Sequence, residues 1–132
     1  MSLPVLKRDP VPDTLRQRLL TSVKRASSEA VHRSWELAAE LGAIGPDTGR
    51  GKRFGKFGKD SVICFPPNTL FNEQYIHIGE GTMIGPQITL SAGMVPGQEM
   101  ITDPVVSIGD RCLIGKGSGI VGHLRIEIGN DV

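Results

Sequence analysis

The sequence predicts a mainly β fold, a parallel β-helix preceded by an N-terminal α-helical segment. Three observations carry that expectation. Aliphatic residues followed by glycine recur every six positions. Ile78-Gly79, Ile84-Gly85 and Leu90-Ser91 form one set, and Ile108-Gly109, Ile114-Gly115 and Ile120-Val121 another. A period of six matches neither a helix, which repeats near 3.6, nor a single strand, which repeats at 2. It matches a chain that turns a corner every six residues, so that residues about three hexads apart stack. The third observation is the stretch before the repeats, where apolar residues are spaced by three and four.

The elements follow in order. Residues 1–12 carry three prolines and read as an extended arm. Asp13 or Thr14 can cap a helix. Leu15, Leu19, Val23, Ala26, Ala30, Ser34, Leu37 and Leu41 then form one apolar stripe, with Arg16, Arg18, Lys24, Arg25, Arg33 and Glu40 largely off it. Gly42 and Gly45-Pro46 end this helical segment, 13–45. The stripe is expected to pack against the repeats and cap their first turn. Residues 46–56 are Gly-rich and basic, with Arg50, Lys52, Arg53 and Lys56; Phe54 and Phe57 are expected to dock on the first repeat.

The repeats run from 57 to 132. In each hexad the aliphatic residue points inward, and a second inward slot four places later takes a small residue: Thr82, Cys112 or Ser118. Glycine follows the aliphatic residue because the corner needs an unusual backbone or a close approach. The rhythm stops between Met94 and Val105, and Ile78 to Ile108 spans more than one circuit. A loop at 94–105 is therefore expected to project from a corner, where binding residues often sit. The rhythm resumes through Ile126 and, shifted by two, Ile128-Gly129. The sequence stops at Val132 in a fresh hexad, which reads as a C-terminally incomplete repeat array.

Composition bounds the function. At 132 residues the chain suits one domain with a helical lead-in. A net charge of +1 gives no strong field for nucleic acid. The basic stretch with Phe54 and Phe57 could stack nucleotides, but the overall neutrality argues for a solvated loop. No apolar run reaches the ~20 residues of a membrane helix, and no apolar block follows Lys7 and Arg8. Two cysteines, Cys64 and Cys112, fit reduced thiols and a cytoplasmic chain. The three histidines, His32, His77 and His123, show no His-x4-His pair for a zinc site, so no metal is expected. Gly115-Lys116-Gly117 lacks the strand-to-helix context of a phosphate loop.

The hexads from Phe57 to Val132 resemble the left-handed β-helix of the hexapeptide-repeat acyltransferases. Pro66-Pro67, followed by Ile76-His77-Ile78-Gly79, is nearest in style to the maltose- and galactoside-type O-acetyltransferases, although the Asp-Tyr-Gly run expected between them is missing. The resemblance implies an acyl-CoA-dependent O- or N-acyltransferase. Acetyl-CoA would be the donor, and a sugar or another small hydroxyl- or amine-bearing molecule the acceptor. It implies a His general base, a backbone oxyanion site and a homotrimer. His123, in Gly119-Ile120-Val121-Gly122-His123, is the candidate base within this sequence; a His beyond Val132 is the other. Asn72, Glu73 and His77 are the candidate acceptor contacts. On this reading the 132 residues alone bind CoA weakly and transfer acyl groups at background rate. The alternative function is a non-catalytic β-helix module for trimerisation or scaffolding.

Overall fold

The structure is a computed structural model that describes residues 11–132, with side-chain surroundings from Thr14 onward. Of the arm expected over 1–12, residues 1–10 lie outside the described residues, while Val11 and Pro12 are helical. Two compact units divide the chain between Leu37 and Ala38. Helix α1 spans Val11–Gly42. It begins two residues before Asp13, because Pro12 is tolerated in a first turn whose N–H groups lack helical partners. Its expected buried stripe is not buried within this chain: Leu15, Leu19, Val23 and Leu37 are all more than half exposed.

Ten short strands follow: β1 (Lys56–Phe57), β2 (Val62–Ile63), β3 (Thr69–Phe71), β4 (Ile76–Ile78), β5 (Met83–Ile84), β6 (Thr89–Ala92), β7 (Val106–Ile108), β8 (Leu113–Ile114), β9 (Gly119–Gly122) and β10 (Ile126–Ile128). They form three parallel sheets, ordered β1-β4-β7-β10, β2-β5-β8 and β3-β6-β9. The chain therefore visits the sheets in strict rotation, and each strand from β1 to β7 pairs with the strand one circuit later.

Register follows the hexads. Ile63, Ile84 and Ile114 stack in the second sheet, and Leu70, Leu90 and Ile120 in the third. In the first sheet Phe57, Ile78, Ile108 and Ile128 stack. The two-residue shift before Ile128 is taken up at the turn between β9 and β10, and the stacking survives it. All three sheets contribute to one core that includes Ile63, Ile78, Ile84, Leu90, Ile108 and Ile114. Ile120, expected to be buried, is only partly so, as are Ile126 and Ile128.

The small inward slot turns out to be a polar ladder. Ser61 Oγ donates to Gly79 O, and Thr82 Oγ1 donates to Gly109 O at 2.6 Å. Cys112 Sγ approaches Gly129 O at 3.0 Å. Ser61 and Thr82 also accept from the next circuit: Thr82 N–H donates to Ser61 Oγ at 2.9 Å and Cys112 N–H to Thr82 Oγ1 at 3.2 Å. Ser118 sits at a different turn and is outside this ladder. On the outer side of the same turn Asp110 Oδ1 accepts from Glu80 N–H at 2.7 Å, and Asn130 Oδ1 from Asp110 N–H at 2.8 Å. These oxygens lie where a Cβ on Gly79 or Gly109 would stand, so close approach, not a positive φ, demands glycine there. Arg111 donates twice to Asp131, holding that carboxyl below its usual range. That contribution is present above the ordinary carboxylate pKa and is lost as pH falls through the depressed one.

The first circuit is capped from before it by residues that follow the helix. Ile44, just past α1, forms an antiparallel bridge to Ile63 and is buried. Phe54 is buried and meets Phe57 edge-on at 5.1 Å, as the docking expectation required.

The inward register has a direct test. Ile78→Asp would place a charge in a dry interior and should cost about 4 kcal/mol or more, enough to unfold this unit. Lys56→Asp, on the outward side of the same sheet, should change stability by under about 1 kcal/mol. Equal thermal midpoints for the two variants would show that the faces are assigned the wrong way round.

Candidate functional site

Each circuit turns from the third sheet back to the first at one corner, and the three turns there differ most in length. The first is short, Asn72 to Tyr75. The second is the projecting loop: Ile78 pairs with Ile108, thirty residues on, whereas Phe57 to Ile78 is twenty-one and Ile108 to Ile128 is twenty. The third, His123 to Arg125, is again short. All four residues singled out from the sequence, Asn72, Glu73, His77 and His123, lie at or beside this corner. Pro66-Pro67 lies at another, between the second and third sheets.

The loop ends earlier than its spacing indicated. Val105 is wholly buried; its N–H donates to Tyr75 O at 2.9 Å and its carbonyl accepts from Ile126 N–H at 2.7 Å. It belongs to the core, so the projecting segment closes at Pro104. Met94, Val95 and Ile101 are exposed along it. Thr102 Oγ1 donates to Leu124 O and ties the loop to the next turn.

Asn72 holds the start of this loop. Its backbone is left-handed, φ 56° and ψ 41°, which Asn tolerates. Its Nδ2 donates to Ala92 O at 2.6 Å and Val95 O at 2.9 Å, and Oδ1 accepts from Gly97 N–H at 2.8 Å. Both amide hydrogens are used and the side chain is buried, so the residue expected as an acceptor contact anchors the loop. Glu73 is also buried and lies 3.5 Å from Arg50 Nη2. Arg50 Nη2 donates as well to Leu70 O at 2.9 Å. Glu73 therefore fastens the basic loop to the first circuit and is spent on that contact.

His77 is placed differently. It stands on β4 with its ring outward, about one-third exposed. The ring lies over Gly55, where a Cβ would come within 2.6 Å of Nε2. Asp103, near the end of the projecting loop, brings Oδ1 to 3.5 Å from Nε2. That is long for a hydrogen bond and close enough for an ion pair once the ring is protonated. Lys56, Ser107 and Glu127 stand in register with His77 along the outward row of the first sheet. His123 is exposed on the third turn and has no carboxylate partner among the described residues. His32 lies on the exposed surface of α1.

The sequence reading missed Asp103 and Ser107. Ser107 could have been found from its place between Val106 and Ile108, one register step from His77. Asp103 could not, because its approach depends on how a loop of irregular backbone folds back.

No group of His, Cys, Asp and Glu among the described residues is arranged to hold a metal ion. No helix of the described chain is long and apolar enough to cross a membrane. Both cysteines are free thiols; Cys112 is buried and Cys64 half-buried. Compared with protein-family models, with characterised proteins and with solved structures, the chain matches none.

The anchoring role of Asn72 separates from its backbone role in one variant. Asn72→Gly keeps the left-handed conformation and removes three hydrogen bonds, so it should cost about 2–3 kcal/mol. Limited proteolysis should cut between Met94 and Pro104 roughly tenfold faster than in the wild type. Unchanged cleavage would mean that the loop is held by other contacts.

Proposed function

We propose that the three rotating sheets form a left-handed parallel β-helix of the hexapeptide-repeat kind, and that the protein is an acyl-CoA-dependent acyltransferase. In this reading it moves an acyl group, acetyl first, from CoA to the hydroxyl or amine of a sugar or similar small acceptor. The observation that carries it is the His77–Asp103 pair: an imidazole on a rigid strand, with a carboxylate delivered to it by the projecting loop. Its support from the sequence is the hexad pattern and the resemblance it bears.

The chemistry asked of the pair is modest. A neutral His77 takes the acceptor's proton as its oxygen or nitrogen attacks the thioester carbonyl. With Nε2 turned to Asp103, Nδ1 is the nitrogen left to receive that proton. The Asp103 carboxylate then stabilises the imidazolium and fixes the ring. As the tetrahedral intermediate collapses, the C–S bond breaks and the imidazolium returns its proton to the sulfur, so CoA leaves as the thiol and His77 is neutral again. Imidazole suits this task because it exchanges a proton readily near neutral pH. His123, the base expected from sequence, lacks an orienting partner and is the second candidate.

The non-catalytic alternative rests on a different observation. Val62, Met83 and Leu113 stack in register on the outward side of the second sheet, and Met83 and Leu113 are exposed. Such a row on a flat sheet suits packing against another copy, and a homotrimer serves either reading.

The test is release of free CoA thiol from acetyl-CoA by the intact protein over a panel of sugar and amine acceptors. His77→Ala should lower kcat by about a hundredfold or more, and Asp103→Asn by about tenfold. His123→Ala should stay within about threefold. Wild-type rates in His77→Ala would remove it as the base. No turnover with any acceptor, together with no CoA binding by calorimetry, would favour the non-catalytic module.

A further inference from the structure

Helix α1 carries an unpartnered surface of unusual regularity. Leu15, Leu19 and Val23, then Ala26, Ala30 and Ser34, then Leu37 follow in steps of four, four and three. An eleven-residue repeat of this kind keeps a stripe almost parallel to the axis of a straight helix. From Leu15 to Leu37 the stripe is about 33 Å long. Leu15 is 65% exposed, Leu19 60%, Val23 62% and Leu37 56%. Leu20 and Val31 widen the apolar side and are equally exposed. Ala26 and Ala30 leave its middle low, which permits a close backbone approach.

The charges beside the stripe are sorted along the helix. Between Thr14 and Ser28 the charged residues are Arg16, Arg18, Lys24 and Arg25, with no acid among them. From Glu29 to Leu37 they are Glu29, Arg33 and Glu36. Arg18, Arg25, Glu29 and Glu36 are spaced by seven, four and seven, so they share one flank of the stripe. None of them forms an ion pair within the described chain. The order gains nothing from the helix dipole, which favours acids early and bases late.

We infer that this face is an interface for a second copy of the chain, docked antiparallel. In an antiparallel pair related by a two-fold axis, the same flank of each helix meets itself in reverse. With the axis near Ser27, Arg18 of one copy comes beside Glu36 of the other, and Arg25 beside Glu29. The two-fold makes each pair occur twice. The apolar stripes close on each other, with the small Ala26 and Ala30 near the crossing. A parallel pair would set Arg18 and Arg25 beside the partner's opposite flank, which holds Leu20, Lys24 and Val31 and no acid to match them. The inference is independent of acyl transfer, since it uses no residue of the His77 corner.

The experiment is sedimentation equilibrium on the intact protein, with circular dichroism to confirm helix content. R18E/R25E and E29R/E36R should each weaken this association by about tenfold or more. The mass then halves, from dimer to monomer, or from paired trimers to single trimers if the second sheet also self-associates. The quadruple variant R18E/R25E/E29R/E36R restores every antiparallel pair with signs exchanged and should recover the wild-type mass. Failure of the quadruple variant to recover, with normal helix content, would overturn the antiparallel arrangement. Reversals that leave the mass unchanged, or a wild type already at the lower mass, would overturn the interface itself. Wild-type binding to phosphatidylserine vesicles without self-association would reassign the stripe to a lipid surface and overturn the inference too.

Discussion

The ladder of Ser61, Thr82 and Cys112 is the constraint on which the repeating unit depends. Each circuit presents a carbonyl and an N–H at the same inner turn; Ser61 and Thr82 satisfy both, and Cys112 meets the carbonyl. Unmet, such groups near a dry core would cost about 1–3 kcal/mol each. A small side chain with a donor is therefore required at that slot, and sequence periodicity follows from it. The chain accepts Ser, Thr and Cys there because all three reach the carbonyl without filling the interior. The outer oxygens of Asp110 and Asn130 close the same turn from the other side and exclude any residue but glycine at Gly79 and Gly109.

A turn fixed on both sides leaves little room for variation. The corner between the third and first sheets has no such ladder, and it is where the circuits differ. Asn72 there performs with one amide what an uninterrupted turn would do with backbone, pinning Ala92, Val95 and Gly97. The extra length of the second circuit is thus attached to a rigid neighbour at its start and returns through buried Val105 at its end. Asp103 lies one proline before that return. Its position over His77 is set by the core residue that follows it and by the tie from Thr102 to the next turn. A carboxylate held in this way can orient a ring that is itself fixed on a strand.

Much of this was legible in the sequence, for a physical reason. The hexads from Ile78 onward report a steric requirement that recurs every circuit, so the aliphatic stacks of all three sheets could be read directly. Even the shift at Ile128 preserved its stacking on Ile108. Val105 was misread because a valine at the end of an irregular loop has no hexad neighbour to mark it as core. Asn72 and Glu73 were chosen as polar residues in an irregular stretch, and such residues serve backbone groups more often than ligands. The Leu15–Leu37 stripe was legible as a face, yet its periodicity is silent on what covers it. Leu15, Leu19, Val23 and Leu37 are each more than half exposed, which periodicity alone does not report.

The two halves of the molecule make opposite uses of repetition. In the sheets the repeat is closed within the chain, each circuit satisfying the hydrogen bonds and apolar faces of its neighbour. Specificity then has to come from the corner that breaks the pattern. In α1 the repeat lies along one helix, and a helix cannot close its own apolar stripe. A lone exposed helix with these propensities gains little stability from its backbone alone and is normally held by packing on its apolar face. The sorted charges on its flank would choose between orientations of whatever helix packs there, while the apolar stripe would supply the adhesion. A like helix reversed end for end would satisfy both requirements at once, setting Arg18 beside Glu36 and Arg25 beside Glu29.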